Sequence, residues 1–273
     1  MPKIHPTAIV DPAARLDDTV EIGAYAIVES DVKIGQDTVL RDHVIVRRYT
    51  SIGANNFVDS FVVLGGEPQD YNFDSKTVSY LSIGDKNIFR EGTTVNRATG
   101  EGNSTVVESG TMWMTCAHAG HNVVVEDGAV LANGAAMGGY SRLGQRAVIS
   151  GGVRVHQFTW IGRLVMSQGN SGMSCHVPPY CLFGDGINKV LGLNTVGLRR
   201  AEDISAEDHR QIKEAFDLTY RSGLPRPEAL ERMDTCRDWG PAAGEFREFI
   251  RKVANAKAPF NRALCKFSRK AKG

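Results

Sequence analysis

The residues with the clearest chemical potential are two histidines three apart, His118 and His121, within the stretch "WMTCAHAGHNVVVE" (113–126). Small residues at Ala117, Ala119 and Gly120 leave room around both rings. Three fates are open to them. An imidazole here can be an idle, solvent-facing side chain, the usual fate of an exposed histidine. It can hold a metal: a His-x-x-His pair joined by His156, or by a histidine of another chain, could bind zinc with one position open. Or it can act as a general base, since it titrates near working pH and can take a proton from a hydroxyl nucleophile. The stretch alone does not choose, so the question passes to the elements that carry it.

Those elements follow a period of six. Steps of six from Ile4 reach Val10, Leu16, Ile22, Val28, Ile34, Leu40, Val46, Ile52, Val58 and Leu64, all of them aliphatic. Four residues after each comes a mostly small or β-branched series, beginning Ala8, Ala14, Val20 and Ala26. This matches neither helical nor hairpin alternation; it is the pattern of hexapeptide β-helix repeats. Three hexads make one triangular coil of 18 residues, and coils stack by parallel hydrogen bonding at ~4.8 Å. The phase breaks at about 65–82 and again at about 97–106, which predicts two extruded loops. It resumes at Val107 and runs through Trp113, Ala119, Val125, Leu131 and Met137 to Met173, with a lapse at Ser167. About nine coils, ~40 Å tall, are expected at that spacing.

The register gives the histidines a geometry. Ala119 takes an inward slot, so His121 falls on an outward turn and His118 just before the slot. One coil on, Gly139 should stack beside His121; two coils on comes Gln157. Past "HVPPY" (176–180) the repeat ends. Ser205 to Asp208 reads as a capping box, Pro227 sits near the first turn of a second helix, and Phe246, Phe249, Ile250 and Val253 mark a third. The expected division is a β-helix over 1–190 and a helical domain over 191–273.

Bulk composition is less informative. The net charge is +1, yet Arg251, Lys252, Lys257, Arg262, Lys266, Arg269, Lys270 and Lys272 form an acid-free basic tail. Such a run is usually a solvated face, but it could also steer an acidic carrier protein toward a nearby site. No recognition motif accompanies it, so nucleic acid is not expected, and membrane contact should be peripheral at most. Cys116, Cys175, Cys181, Cys236 and Cys265 form no CxxC pair and are odd in number, which fits free thiols in a reducing compartment. With no secretory pattern before Ile4 and no apolar run of spanning length, a soluble cytoplasmic protein is expected.

The motifs "HPTAIV", "GGEPQD", "AHAGH", "LAN", "VHQF", "VPPY", "GLNTVGLRR" and "AFDLTYRSG" resemble those of the acyl-[acyl-carrier-protein]–UDP-N-acetylglucosamine O-acyltransferases, over nearly the whole chain. The resemblance implies a left-handed parallel β-helix with a small helical C-terminal domain, assembled as a homotrimer. It implies acyl transfer from acyl carrier protein to the 3-hydroxyl of a UDP-amino sugar, the first step of lipid A synthesis. No metal and no resident cofactor are expected, since phosphopantetheine arrives on the carrier. By position, His121 corresponds to the general base and the Gly139 N–H to the oxyanion donor. His118 corresponds to a substrate-positioning histidine and Asp70 to a sugar-contacting acid. His156 and Gln157 match residues near the nucleotide diphosphate, and Asn194 and Arg200 match positions that hold the nucleotide from a neighbouring chain. Gly169 falls where bulk limits acyl length, so room for a longer chain is implied; the transferred chain expected for the family is a 3-hydroxy fatty acyl group. The chain departs from the family pattern at Asn72, Asn96, Asn122, Tyr140 and Val196. Those departures keep open an N-acyltransferase acting on a 3-amino analogue, and the His pair keeps open a zinc hydratase of the carbonic anhydrase type on the same prism.

Overall fold

The computed structural model describes residues 1–236 and 238–268, with the Cys236 side chain left aside. Each hexad contributes a two-residue strand with its second residue pointing inward, as in Lys3–Ile4, Ile9–Val10 and Arg15–Leu16. These three begin three parallel sheets, the faces of a left-handed triangular prism. Partners lie 18 residues apart: Lys3 opposite Glu21 on the first face, Ile9 opposite Ile27 on the second, Arg15 opposite Lys33 on the third. The inward aliphatic column is buried from Ile22 onward, together with the small column of Val20, Ala26 and Val32. Below it the first coil has no neighbour, so Ile4 stays 40% exposed although it follows the repeat. Ser167, where the aliphatic series lapses, still fills its inward slot, and its hydroxyl accepts the Ser150 N–H at 2.8 Å.

The coils turn at corners that hold one residue with positive φ, among them Asn122 (58°) and Tyr140 (60°). Asparagine tolerates this left-handed region better than most side chains. The pairing step widens to 31 residues where Phe57 meets Ile88, and to 24 where Ile88 meets Met112. The extra chain leaves as two loops, 67–79 and 97–103, and the faces resume in phase beyond each. The wider coils are filled by the Phe89 and Trp113 rings, stacked at 5.6 Å.

The far end of the prism is closed. Cys181–Phe183 pairs antiparallel with Lys189–Leu193, and four helices follow. Helix α1 spans Thr195–Arg200, α2 Ala206–Tyr220, α3 Arg226–Cys236 and α4 Pro241–Ala254. The three longer helices match the expected pattern, and Ser205 and Asp208 form the expected capping box on α2. The short α1 was not foreseen. Helix α2 buries Ile212, Ala215 and Phe216, and α4 buries Ala242, Ala243, Phe246 and Ile250. Tyr180, fully buried, donates its hydroxyl to Glu245 of α4 at 2.6 Å and ties the helices to the prism. Beyond α4 the chain returns to the prism end, where Lys266–Phe267 extends the first face.

Candidate active site

His118 and His121 lie on one coil, at the strand His118–Ala119 and the corner after it. Ala119 is fully buried, as the register requires, which turns His121 outward between the second and third faces. The expected stacking is present. A Cβ on Gly139 would come within 2.6 Å of His121 Nε2, so the bare glycine backbone lies against the ring. The coil above the histidine carries two consecutive glycines, Gly138 and Gly139; the coil beyond carries His156 and Gln157, both exposed. A gap one coil high, ~4.8 Å, therefore separates the imidazole from His156 and Gln157.

At three other places on the prism the N–H at this turn position is taken by a carboxylate from the coil below. Arg48 N–H donates to Glu29 at 3.0 Å, Asp127 N–H to Glu108 at 3.2 Å, and Gln145 N–H to Glu126 at 2.9 Å. Below Gly139 stands an imidazole instead, and no acceptor among the described residues takes the Gly139 N–H. His121 Nδ1 is hydrogen-bonded to Asn122 Oδ1 at 2.9 Å, and the Tyr140 ring meets the imidazole edge-on at 5.3 Å. Nε2 has no partner among the described residues. A free imidazole nitrogen and a free amide N–H side by side are the two groups an acyl transfer needs, one for the nucleophile's proton and one for the developing oxyanion.

His118 is half-buried, with Nδ1 2.7 Å from Thr94 Oγ1. Burial holds its pKa below the ordinary imidazole value against the opposing pull of Thr94, which keeps the ring neutral at pH 7. Among the described residues no three His, Cys, Asp or Glu side chains converge as metal ligands. His156 lies two coils above, with Nδ1 3.2 Å from the Gln157 carbonyl.

The other expected positions are spread over the prism. Asp70 is exposed at the tip of the 67–79 loop, its carboxylate accepting the Asn72 N–H at 2.9 Å. Gly169 is exposed between the first and second faces, on a different edge from His121. Asn194 caps α1, accepting the Gly197 N–H at 3.0 Å and donating to Leu164 O at 2.9 Å. Leu164 turns between the third and first faces, so Asn194 sits on yet another edge, with Arg200 exposed at the end of α1. Within one chain, then, His121, Gly139, His156, Gln157 and His118 come together, whereas Asn194, Arg200 and Gly169 do not join them. Of the departures, Asn122 and Tyr140 touch the His121 ring. Asn96 is buried and donates to Glu67 O at 2.8 Å at the root of the longer loop. Val196 and Asn72 are exposed.

Two residues near the site escaped the sequence reading. Thr99 on the shorter loop holds Asn122, and Arg97 fastens the longer loop. Both belong to the extruded segments, where no repeat assigns a position. The basic tail is only partly free. Arg251 is paired with Glu248 and Asp234, Arg262 donates to Ser174 O at 3.2 Å, and the Lys252 ammonium lies 4.1 Å from the Trp160 ring centre. Lys257 and Lys266 are exposed, while Arg269, Lys270 and Lys272 lie outside the described residues.

Known proteins are similar to this chain over most of its length. An acyl-[acyl-carrier-protein]–UDP-N-acetylglucosamine O-acyltransferase of Syntrophobacter fumaroxidans is 41% identical over 242 residues, covering 86% of this chain and 93% of the relative. The chain belongs to that family. A relative of the same description from Stenotrophomonas maltophilia is 37% identical over 234 residues, covering 85% of this chain and 88% of its own length. Residues 176–260 match the family model described as UDP N-acetylglucosamine O-acyltransferase, domain 2. Among solved structures, the UDP-N-acetylglucosamine O-acyltransferase of Moraxella catarrhalis is similar with a TM-score of 0.88 at 35% identity, covering 96% of this chain and 99% of that one. The Campylobacter jejuni UDP-N-acetylglucosamine acyltransferase gives 0.87 at 29% identity, covering 97% and 100%. The chain is thus an acyltransferase of a family built on this prism, and neither the zinc hydratase nor the 3-amino-sugar alternative is favoured.

Proposed function

We propose that this chain transfers an acyl group from acyl carrier protein to the 3-hydroxyl of UDP-N-acetylglucosamine, the first step of lipid A synthesis. The observation that carries the reading is the His121 ring lying against the Gly139 backbone, with Nε2 and the Gly139 N–H both without partners among the described residues. His121 Nε2 takes the proton of the sugar hydroxyl as its oxygen attacks the thioester carbonyl. The carbonyl oxygen gains negative charge and is held by the Gly139 N–H, a contact worth ~2.7–4 kcal/mol in comparable sites. Collapse forms the ester and breaks the C–S bond, and the imidazolium returns its proton to the departing phosphopantetheine sulfur. No covalent enzyme intermediate and no metal enter the scheme.

Around this centre we assign His118 to positioning the sugar, Asp70 to its hydroxyls, and His156 and Gln157 to the diphosphate. Asn194 and Arg200 lie on another edge of the prism, so they would serve a site only as residues of a neighbouring copy. That favours a homotrimer with sites between chains. Gly169 is assigned to the limit on acyl length, where a glycine favours a longer chain. Lys257 and Lys266 offer exposed positive charge to an acidic carrier. No helix among the described residues is long and apolar enough to cross a membrane; a carrier-borne donor and a nucleotide acceptor favour the cytoplasm, with membrane contact at most peripheral.

Mass spectrometry of products formed from UDP-N-acetylglucosamine and a panel of acyl-carrier-protein thioesters tests the reading. A 3-O-acylated UDP-N-acetylglucosamine is expected, and its mass gives the chain length and hydroxylation. Acylation of the 3-amino analogue alone would overturn the acceptor. His121→Ala should cost ~10²–10⁴-fold in kcat, the usual worth of a general base; retention of most activity would remove His121 from that role.

A further inference from the structure

The base is oriented without a carboxylate, and the protons of the groups that orient it can be assigned from one residue's backbone. Thr99 N–H donates to Asn122 Oδ1 at 2.9 Å, and Asn122 Nδ2 donates to Thr99 O at 3.2 Å. A backbone N–H and C=O cannot exchange roles, so the amide has one orientation only: its oxygen faces the ring. His121 Nδ1, 2.9 Å from that oxygen, must then carry the ring proton, and Nε2 keeps the lone pair. The Thr99 hydroxyl lies 2.8 Å from Asn122 Oδ1 and 2.8 Å from the Tyr140 hydroxyl. The amide oxygen can only accept, so Thr99 donates to it and Tyr140 donates to Thr99. Every proton in the chain Tyr140–Thr99–Asn122–His121 is directed.

From this we infer that Thr99 and Tyr140 are positioning residues that hold the His121 base through Asn122, as a charge-neutral relay that keeps Nε2 available as the proton acceptor. The inference rests on the reading of His121 as the base. Geometry supplies the anchoring. Thr99 sits on a seven-residue loop (97–103) closed by Asn103 Nδ2 on Thr99 O at 3.0 Å, and the Tyr140 ring is clamped between the imidazole and Phe158, which it stacks at 5.1 Å. Titratable groups on the surrounding elements are engaged elsewhere. His118 is bound to Thr94, Glu101 accepts the Val78 N–H, and Arg97 is bound to Thr77, Ser75 and Glu67. The imidazolium formed in the reaction consequently meets no carboxylate among the described residues.

The test uses the full-length enzyme with its carrier-borne donor, together with ¹⁵N NMR of labelled histidine. In the native protein, the His121 Nδ1 signal should be that of a protonated nitrogen and Nε2 that of an unprotonated one. Thr99→Val removes the hydroxyl at the centre of the relay and should lower kcat about tenfold to a hundredfold, the range for losing a ring-orienting partner, with KM little changed; the backbone grip on Asn122 survives, so the two ¹⁵N signals should stay in place. Tyr140→Phe keeps both ring contacts and should cost about fivefold, as for one neutral hydrogen bond. Asn122→Asp should keep the tautomer but displace the acid limb of the rate profile upward by about one pH unit or more. A Thr99→Val enzyme with unchanged kcat would overturn the relay, as would a native protein whose His121 Nε2 carries the proton, or an acid limb indifferent to Asn122→Asp. The NMR arm is independent of turnover: an active His121→Ala enzyme would sink the base while leaving the tautomer evidence to judge the relay alone.

Discussion

His121 Nε2 and the α-carbon of Gly139 are packed so closely that a single methyl group cannot be placed between them: an ideal Cβ would fall 2.6 Å from the nitrogen. Gly139 does not occupy the left-handed region, so an alanine is compatible with its backbone and only the ring must move. Gly139→Ala should therefore fold and melt close to the native protein while losing at least ~10²-fold in kcat/KM, because the imidazole is pushed away from its neighbouring amide. Melting curves and steady-state kinetics on one preparation check this. A fully active variant would mean that the ring has room the packing denies it.

Stability should fall in mild acid. His176 is buried and neutral, with Nδ1 accepting the Trp160 N–H at 3.0 Å and Nε2 donating to Phe260 O at 2.9 Å. Burial holds its pKa down, opposed by Phe260 and aided by the positive charges of Arg262 and Lys252. His118 is lowered by burial as well. In the unfolded chain both would bind a proton near the ordinary value, about 6.5. The unfolded state thus takes up more protons as pH drops through that value, and folding stability declines. Denaturant titrations at pH about 7.5, 6.5 and 5.5 should show the midpoint dropping between the last two; a flat profile would contradict the neutral, buried state of His176.

Arg97 is the fastener of the sugar-loop candidate. Its side chain is 1% exposed, donates to Thr77 O at 2.8 Å, and lies 5.5 and 5.0 Å from the Tyr49 and Phe73 ring centres. Arg97→Ala should cost ~2 kcal/mol or more from the lost charged hydrogen bond and ring contacts. It should also speed hydrogen exchange in 67–79 and raise KM for the nucleotide sugar more than it lowers kcat. Unchanged exchange in that loop would remove Arg97 as its anchor.

Asn194 and Arg200 should separate cleanly. Asn194→Ala deletes the cap of α1 and the bond to Leu164, and should destabilise the protein by about 1 kcal/mol. Arg200 is exposed, so Arg200→Ala should leave the melting temperature alone while raising KM for the nucleotide. Mixing inactive His121→Ala chains with inactive Arg200 variants during refolding should restore some activity if the two residues serve one site from different copies. No recovery would place them in separate roles.

The prism and its candidate site column were readable because a strict spacing converts sequence separation into spatial adjacency: Gly139 lies one coil from His121, and Gln157 one coil further. The same logic placed Ala119 inside and His121 outside. It stopped at the loops. Thr99 and Arg97 act through contacts made after the phase is lost, and no period says that a threonine 22 residues before Asn122's neighbour His121 will meet it. The first coil exposes Ile4 because periodicity specifies a direction, not a partner on which to pack. Helix α1 was missed for a different reason: six residues are too few to show a helical repeat.

The two loops leave the prism at corners and return in phase, so the loop that bears Asp70 can lengthen, shorten or be rebuilt without shifting the His121 ring against the Gly139 amide. The surface around the imidazole can accordingly diversify while the column beneath it is inherited intact. The shorter loop does not share that freedom. Since Thr99 grips Asn122 through its own backbone, any change in the length of 97–103 would be felt at once by the imidazole, which makes this small bend the part of the surface with the least licence to drift.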